Sequence, residues 1–312
     1  MGQRADQEAI RVEDLVTQER FEQLQALVTE PVREYLRARG EVFDAERVAT
    51  LRKGCLALGR GKDRPKGFYC TEAGTWGYWY SRFVRNAYQA MIVFRFSGWE
   101  CHSKHLLILQ LGGGPAEDLV GVLDHLNSFP TPKPSVTYIS VDVGSWDPFL
   151  DEVRQNILPK LFSKIHVELR PQHTCDIRTA HLERLITPDP AQPEFLVIVA
   201  NTLVTSTGEE GLSSNHIVEC YVQLVESLGP RVHSLLIIEP QGLEENVATC
   251  MRMAAAATGT DYGHAVSSGC FLLTYPTTTT DVRAAIFPGG RKRLYSRRCY
   301  GLLKQSPGDF DR

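Results

Sequence analysis

The chain has 312 residues, of which 43% are hydrophobic and 23% charged, and its formal net charge is −3. This balance is that of a folded globular protein with one large domain or two modest ones, and it excludes wholesale disorder. The charge also excludes a protein that is basic overall, so contact with a nucleic acid would require a local basic patch.

The cysteine pattern and the hydropathy narrow the kinds of protein that this sequence can encode. Eight cysteines are scattered without a C-x-x-C pair, which disfavours zinc or another metal and indicates a reduced intracellular protein of the nucleus or cytoplasm. No apolar run approaches the roughly 18–20 residues of a membrane-spanning helix, so no membrane partner is expected. The sequence leaves the organelle and the oligomeric state open.

Residues 1–100 are predicted to form an N-terminal helical cap or substrate region. Apolar residues recur at helical spacing between Val12 and Val28, and a second helix is expected over about residues 44–58. A dense group of aromatic residues follows: Phe68, Tyr69, Trp76, Tyr78, Trp79, Tyr80 and Phe83. These rings could stack a substrate base beside the basic loop at 59–67, or could pack a helical cap on the next domain. Packing is the favoured interpretation, because aromatic rings more often supply core area.

From about residue 103, short apolar runs alternate with amphipathic segments. The runs are Leu106–Leu111, Val136–Val141, Ile165–Leu169, Phe195–Ala200 and Ser234–Ile238, and helices fit at Ala116–Leu126, Pro148–Leu161, His181–Leu185 and Ser214–Leu228. Strands without polar alternation are buried on both faces, as in a parallel sheet. The order predicts an α/β fold, a Rossmann-like doubly wound and mostly parallel sheet over residues 101–312.

A glycine-rich turn, Gly112-Gly-Gly-Pro-Ala-Glu-Asp118, follows the first predicted strand. Such a turn lets a ligand approach the backbone and directs helix N-terminal N–H groups toward it. A dinucleotide-binding turn would carry a third glycine where this chain has Glu117. The pattern therefore disfavours a dinucleotide and favours the looser turn of a methyltransferase, with Gly112, Gly113 and Gly114 against the cofactor S-adenosylmethionine.

Two carboxylates stand where the same cofactor would present its ribose and its base. Asp142 ends the second predicted strand, where a carboxylate can accept two hydrogen bonds from a ribose diol, and Val143 beside it belongs to the predicted cofactor set. Asp176 follows the third strand and could accept from an adenine amino group. Each aspartate could instead cap a helix or a turn, but the glycine turn and both acids occur in the order that this cofactor would need.

The next two predicted strands end in further polar residues. Asn201 follows the fourth strand and is predicted as a catalytic and cofactor-binding residue, because ligands of doubly wound sheets bind beyond the carboxyl ends of the strands. It could instead be an asparagine that forms a turn. Glu239 ends the fifth strand and could orient an acceptor nitrogen or act as a base. Methyl transfer from a sulfonium depends mainly on positioning, so the lack of a nucleophile–base pair does not argue against an enzyme.

Several of these segments resemble a known family. The glycine turn with Glu117-Asp-Leu-Val120, the run Val141-Asp-Val-Gly-Ser-Trp146, the segment at 201–206, the strand at 234–239 and the terminal run at 297–303 resemble the fungal methyltransferases of uridine in large-subunit ribosomal RNA. The resemblance covers about residues 103–305. It implies a class I S-adenosylmethionine-dependent methyltransferase fold for residues 101–312, and an RNA acceptor. The chain lacks an Asn-Pro-Pro-Tyr motif, which disfavours an exocyclic amine and leaves a ring nitrogen or another acceptor open.

A local basic strip lies near the end of the sequence, with Arg291, Lys292, Arg293 and Arg297 as the predicted RNA-binding residues. Tyr295 and Tyr300 are interleaved with these cations, so the strip could follow phosphates while an aromatic ring stacks a base. It could equally be a solvated terminal hairpin. The sequence therefore leaves three alternatives: an RNA methyltransferase, a methyltransferase of a small molecule or a protein, and an inactive scaffold with this fold.

Overall fold

The computed structural model describes residues 9–11, 16–44, 46–48, 50–51, 71–130, 132–174, 194–200, 219, 222–223, 226–227, 232–240, 243–258, 267–275 and 294–304. The strands of these residues form one sheet. In chain order they are β1 (Ala9–Arg11), β2 (His105–Leu111), β3 (Ser135–Asp142), β4 (Val167–Leu169), β5 (His173–Thr174), β6 (Glu194–Ala200), β7 (Ser234–Pro240), β8 (Ser267–Tyr275) and β9 (Leu294–Lys304).

The order of strands across the sheet is β1-β8-β9-β7-β6-β2-β3-β4, and β5 pairs with the end of β3. Strands β2, β3, β4, β6 and β7 pair in parallel, and β9 lies antiparallel between β7 and β8. With β2, β3, β4, β6, β7, β8 and β9 numbered one to seven, the order is 3-2-1-4-5-7-6. A sheet of this order with an antiparallel seventh strand is the class I methyltransferase fold. The predicted mostly parallel, Rossmann-like sheet with an N-terminal helical region is therefore confirmed.

Six α-helices have bounds that lie within the described residues. They are α1 (Gln18–Ala38), α2 (Glu72–Ser97), α3 (Glu117–Asn127), α4 (Asp147–Glu152), α5 (Leu158–Leu161) and α6 (Glu244–Thr258), with a π-helical turn, Val153–Ile157, joining α4 to α5. Thr17 and Thr71 cap α1 and α2 by accepting backbone N–H bonds, and Gly98 ends α2 in the left-handed conformation. None of the described helices is long and apolar enough to cross a membrane.

Helix α2 carries most of the aromatic group, and its rings are packed inside the protein. Trp79 and Phe83 are fully buried, and the Trp79 indole donates to the Val28 carbonyl of α1 at 2.8 Å. Trp76 stacks on Tyr35 with ring centroids 4.4 Å apart. The packing interpretation therefore holds for the described aromatic residues, while Phe68 and Tyr69 lie outside the described part of the chain.

Helices α2 and α3 cross at very short distance. A Cβ built on Gly121 of α3 would lie 2.2 Å from the Ala87 carbonyl oxygen of α2, so only glycine allows this approach. Arg20 of α1 adds a contact to the same side of the fold by donating to Asp124 of α3 at 2.8 Å. The two N-terminal helices are thereby joined to the helix that follows the glycine turn.

The observed elements correct the sequence expectations in three places. Residues 9–11 form an edge strand parallel to β8 within the region predicted as helical, and three residues are too few to carry a strand pattern. The first helix begins at Gln18 rather than near Val12. The third predicted strand, which is β4, begins at Val167 rather than Ile165, because Ile165 is still in the turn after α5. The predicted helix at 181–185 lies outside the described residues.

Candidate functional site

The glycine turn connects β2 to α3 at the carboxyl edge of the sheet. The Gly112 and Gly113 amides both donate to the Val141 carbonyl of β3, at 2.8 and 3.3 Å. Gly112, Gly114 and Ala116 all have positive φ angles, of 66°, 47° and 66°. Glycine adopts this region without steric strain, whereas the Cβ of Ala116 makes the same conformation unfavourable. Every second residue of the turn, from 112 to 116, is therefore in the left-handed conformation before α3 begins.

Gly114 lies closest to the acidic groups of the site. Its amide donates to Asp142 Oδ2 at 3.0 Å. A Cβ built at this position would lie 3.2 Å from Glu117 Oε2, in a conformation that side chains rarely adopt. Both the φ angle and the close carboxylate thus require glycine here.

Asp142 at the end of β3 is held from two sides. Its Oδ2 accepts from the Gly114 amide, and its Oδ1 accepts from the Gly144 amide at 2.8 Å. Burial raises the pKa of Asp142, while these backbone bonds from Gly144 and Gly114 lower it. The Trp146 side chain and the Val143 amide also lower this pKa. The carboxylate is therefore oriented by donors of the glycine turn and of its own loop.

The residues after Asp142 form a short loop whose shape is set by a distant side chain. Gln172 accepts from the Trp146 amide at 2.8 Å and donates to the Gly144 carbonyl at 2.7 Å. Val143 is left 52% exposed at the tip of this loop. An exposed apolar side chain next to this carboxylate offers a surface for a planar ring. Sequence reasoning missed Gln172, since nothing in its local pattern shows which loop it will meet.

A buried polar cluster lies between α2 and the start of α3. Glu117 is 3% exposed, and its Oε1 accepts from the Tyr78 hydroxyl at 2.5 Å and from Asn86 Nδ2 at 3.0 Å. Its Oε2 has no hydrogen-bond partner among the described residues. Burial raises the pKa of Glu117 to about 7, against the lowering effects of Tyr78, of Asn86 and of the backbone N–H of Glu117 itself. Sequence reasoning used Glu117 only to exclude a dinucleotide, because its partners lie 39 and 31 positions away.

A second buried cluster joins β2, β3 and α3 directly beneath the turn. Gln110 Nε2 donates to Asp118 Oδ2 at 2.5 Å, and the Tyr138 hydroxyl donates to Gln110 Oε1 at 2.7 Å. All three side chains are buried. These hydrogen bonds join the end of β2 to the first turn of α3 and to the neighbouring strand β3.

The other predicted site residues are placed only in part. Glu239 is fully buried near the end of β7, and its charge contributes to raising the pKa of the Cys250 thiol of α6, after burial itself. Asp176 and Asn201 lie outside the described residues, as do Arg291, Lys292 and Arg293. Arg297 lies in β9, with its backbone in register with Leu272 of β8. The structure thus brings together Gly112, Gly113, Gly114, Asp142 and Val143, and adds Glu117, Tyr78, Asn86 and Gln172 to their surroundings.

No family model matches the sequence, and no curated protein matches it. Among solved structures, the chain is similar to the plantazolicin methyltransferase BpumL in complex with SAH, with a TM-score of 0.38 and 12% identity over 84% of this chain and 98% of that one. It is similar to a human methyltransferase 10 domain containing protein, with a TM-score of 0.42 and 14% identity over 84% and 97%. A SAM-dependent methyltransferase of Leishmania major gives a TM-score of 0.38 and 12% identity over 81% and 82%. The fold assignment rests on the strand order and not on these distant likenesses.

Proposed function

We propose that this chain is an S-adenosylmethionine-dependent methyltransferase. The observation that carries the proposal is Asp142, which the backbone amides of Gly114 and Gly144 orient at the carboxyl edge of a sheet with the class I methyltransferase order. Ligands of such open α/β sheets bind at this edge. The described residues fit the cofactor in three respects: an oriented carboxylate at the end of β3, an exposed apolar residue beside it, and a glycine turn against which a ligand can lie.

Each residue would have a distinct part in holding the cofactor. Asp142 would accept both ribose hydroxyls, and Val143 would contact the adenine ring. The amides at the start of α3 and the bare backbone of Gly112 and Gly113 would face the ligand closely. The cofactor supplies a methyl group on an activated sulfonium, so the contribution of the protein is to orient donor and acceptor and to exclude water. Asp176 is proposed to meet the adenine amino group, with Asn201 and Glu239 on the acceptor side.

Calorimetric titration with S-adenosylmethionine tests the proposal. We expect micromolar binding by the native chain and a loss of at least tenfold in Asp142→Ala, because two hydrogen bonds to a charged group are removed. Asp151→Ala is the matched control, since Asp151 is an exposed carboxylate of α4. Binding that is absent in the native chain would reject the proposal and favour a scaffold with this fold. Binding that survives Asp142→Ala would reject the assigned site.

For the acceptor we propose RNA, with a base nitrogen as the first candidate. The support is the basic strip with its interleaved tyrosines, in which Arg291, Lys292, Arg293 and Arg297 would hold phosphates. Replacing Arg291, Lys292 and Arg293 together with Glu should abolish RNA binding in a filter-binding assay and leave cofactor binding intact. Unchanged RNA affinity would reject RNA as the acceptor and favour a small molecule or a protein side chain.

A further inference from the structure

The buried carboxylate of Glu117 is only half used by the fold. Oε1 accepts two hydrogen bonds, from Tyr78 and Asn86, while Oε2 accepts none from the described residues. A buried polar atom without a partner costs free energy comparable to a lost hydrogen bond, and more when the group is charged. Such an atom in a folded protein therefore calls for an explanation, and a ligand group is one.

The position of Oε2 indicates where that ligand group would lie. The oxygen is beside Gly114, within 3.2 Å of where a Cβ of that residue would be. Gly114 in turn donates to Asp142, so Glu117 and Asp142 lie on either side of one glycine. The charge of Asp142 also contributes to raising the pKa of Glu117. Two carboxylates thus face the same turn at short range.

No cationic side chain of the described residues forms an ion pair with either Glu117 or Asp142. The neighbours that face Glu117 from α2 are Tyr78 and Asn86, both neutral, and from β3 they are Tyr138 and Asp142. A cation that carries N–H donors would satisfy the open oxygen and reduce the repulsion between the two acids. A ligand whose ribose binds Asp142 would therefore fit best if it also carried a positively charged group that reaches Glu117.

We propose that Glu117 accepts a hydrogen bond from the α-ammonium group of the amino-acid end of S-adenosylmethionine, with Tyr78 and Asn86 as positioning residues for its carboxylate. This inference rests on the proposed function. The ammonium group is preferred over the sulfonium because a sulfonium has no N–H donor for Oε2. The α-carboxylate of the cofactor is the alternative partner, but Glu117 would then have to keep its proton and donate it, whereas an ammonium partner displaces that proton.

Binding of three ligands by calorimetry separates this contact from its alternatives. S-adenosylmethionine and S-adenosylhomocysteine both carry the ammonium group, whereas 5′-methylthioadenosine lacks the whole amino-acid end. In Glu117→Gln we expect at least tenfold weaker binding of the first two and an unchanged affinity, within twofold, for the third. Retained binding of 5′-methylthioadenosine also shows that the turn and Asp142 are still folded. Glu168→Gln, which changes an exposed carboxylate of β4, is the matched control.

Each other outcome overturns the inference in a recognisable way. An equal loss for all three ligands would make Glu117 a purely structural residue, and a loss for S-adenosylmethionine alone would assign it to the sulfonium. No loss at all would remove it from the site. If the native chain binds none of the three, the proposed function itself fails, which the other results would not imply.

Proton release gives a second readout that does not depend on affinity. An ammonium group that meets Glu117 would displace the proton that this buried carboxyl group holds near neutral pH. Titration with S-adenosylhomocysteine at about pH 6.5, in two buffers of different ionisation enthalpy, should show release of a fraction of a proton by the native chain and less by Glu117→Gln. Equal release by both proteins would contradict the contact.

Discussion

Two adjacent carboxylates at the start of α3 have opposite surroundings. Asp118 accepts from Gln110, which in turn accepts from Tyr138, and this chain of hydrogen bonds ties α3 to β2 and β3. Glu117, one residue earlier, points to α2 and keeps one oxygen without a partner among the described residues. Both are 3% exposed. Burial alone therefore does not distinguish the two acids, whereas the buried oxygen without a partner in Glu117 does.

The different surroundings of Asp118 and Glu117 predict different effects on stability and on ligand binding, although both residues lie at the same helix terminus. A carboxylate whose partners are all internal stabilises the folded state, because each buried bond replaces one lost to water. A buried carboxylate oxygen that lacks a hydrogen-bond partner lowers the stability of the free protein. A ligand that donates to this oxygen removes that cost, so the ligand binds more tightly. We therefore expect substitutions at the two positions to have opposite effects on stability and on ligand selectivity.

The largest expected effect is the contribution of Glu117 to the pH dependence of stability. Its ordinary pKa of 4.5 is raised to about 7 in the folded protein, so between these values the folded state holds a proton that the unfolded state has released. The contribution of Glu117 to the free energy of unfolding should therefore fall by about 3 kcal/mol as the pH rises from about 4.5 to about 7, and stay level above. Urea denaturation of the native chain and of Glu117→Gln over this range measures the difference. Parallel curves for the two proteins would contradict the assignment.

Removal of the structural acid should produce the converse result. Asp118→Ala leaves the Gln110 amide buried without its acceptor, so we expect the free energy of unfolding to drop by about 2 to 3 kcal/mol. The ratio of affinities for S-adenosylhomocysteine and 5′-methylthioadenosine should not change, because the amino-acid end does not meet Asp118. Urea denaturation and calorimetry give the two numbers. A changed ratio with unchanged stability would reverse the roles of the two acids.

Tyr78→Phe tests the connection between α2 and the turn. The change removes the hydroxyl that donates to Glu117 Oε1, which should lower the free energy of unfolding by about 1 kcal/mol. It should also move the pH transition of stability to higher pH, since the Tyr78 bond lowers the pKa of Glu117. A transition that moves to lower pH would show that Tyr78 does not donate to the carboxylate.

The smallest effect is expected at Ala116. Its φ of 66° places an L-residue in the left-handed region, at a cost of roughly 1 to 2 kcal/mol that glycine avoids. Glycine loses more chain entropy on folding, so Ala116→Gly should stabilise the protein by up to about 1 kcal/mol. Ligand affinities should not change, and thermal denaturation is sensitive enough for the comparison. A destabilised variant would mean that the methyl group of Ala116 contributes more by packing than its conformation costs.

The sequence predicted well those features that depend on a local pattern. The runs that became β2, β3, β6 and β7 are almost continuous in apolar residues because most of their residues are buried on both faces of the sheet, and such runs are visible without knowing the neighbours. The turn at 112–114 followed from its glycines. The strand β9 was not predicted, because its insertion between β7 and β8 depends on residues far apart in the chain.

By itself, the sequence determined the doubly wound sheet, the glycine turn and the position of Asp142 at the end of a strand, since periodicity and residue type are local properties. Only the tertiary structure decided the surroundings of Glu117. An acid at a helix N-terminus is ordinarily a solvated partner of the helix dipole, but the packing of α2 on α3 buries this one with Tyr78 and Asn86. The energetic character of a charge depends on which groups surround it, and those groups are brought together only when the chain folds.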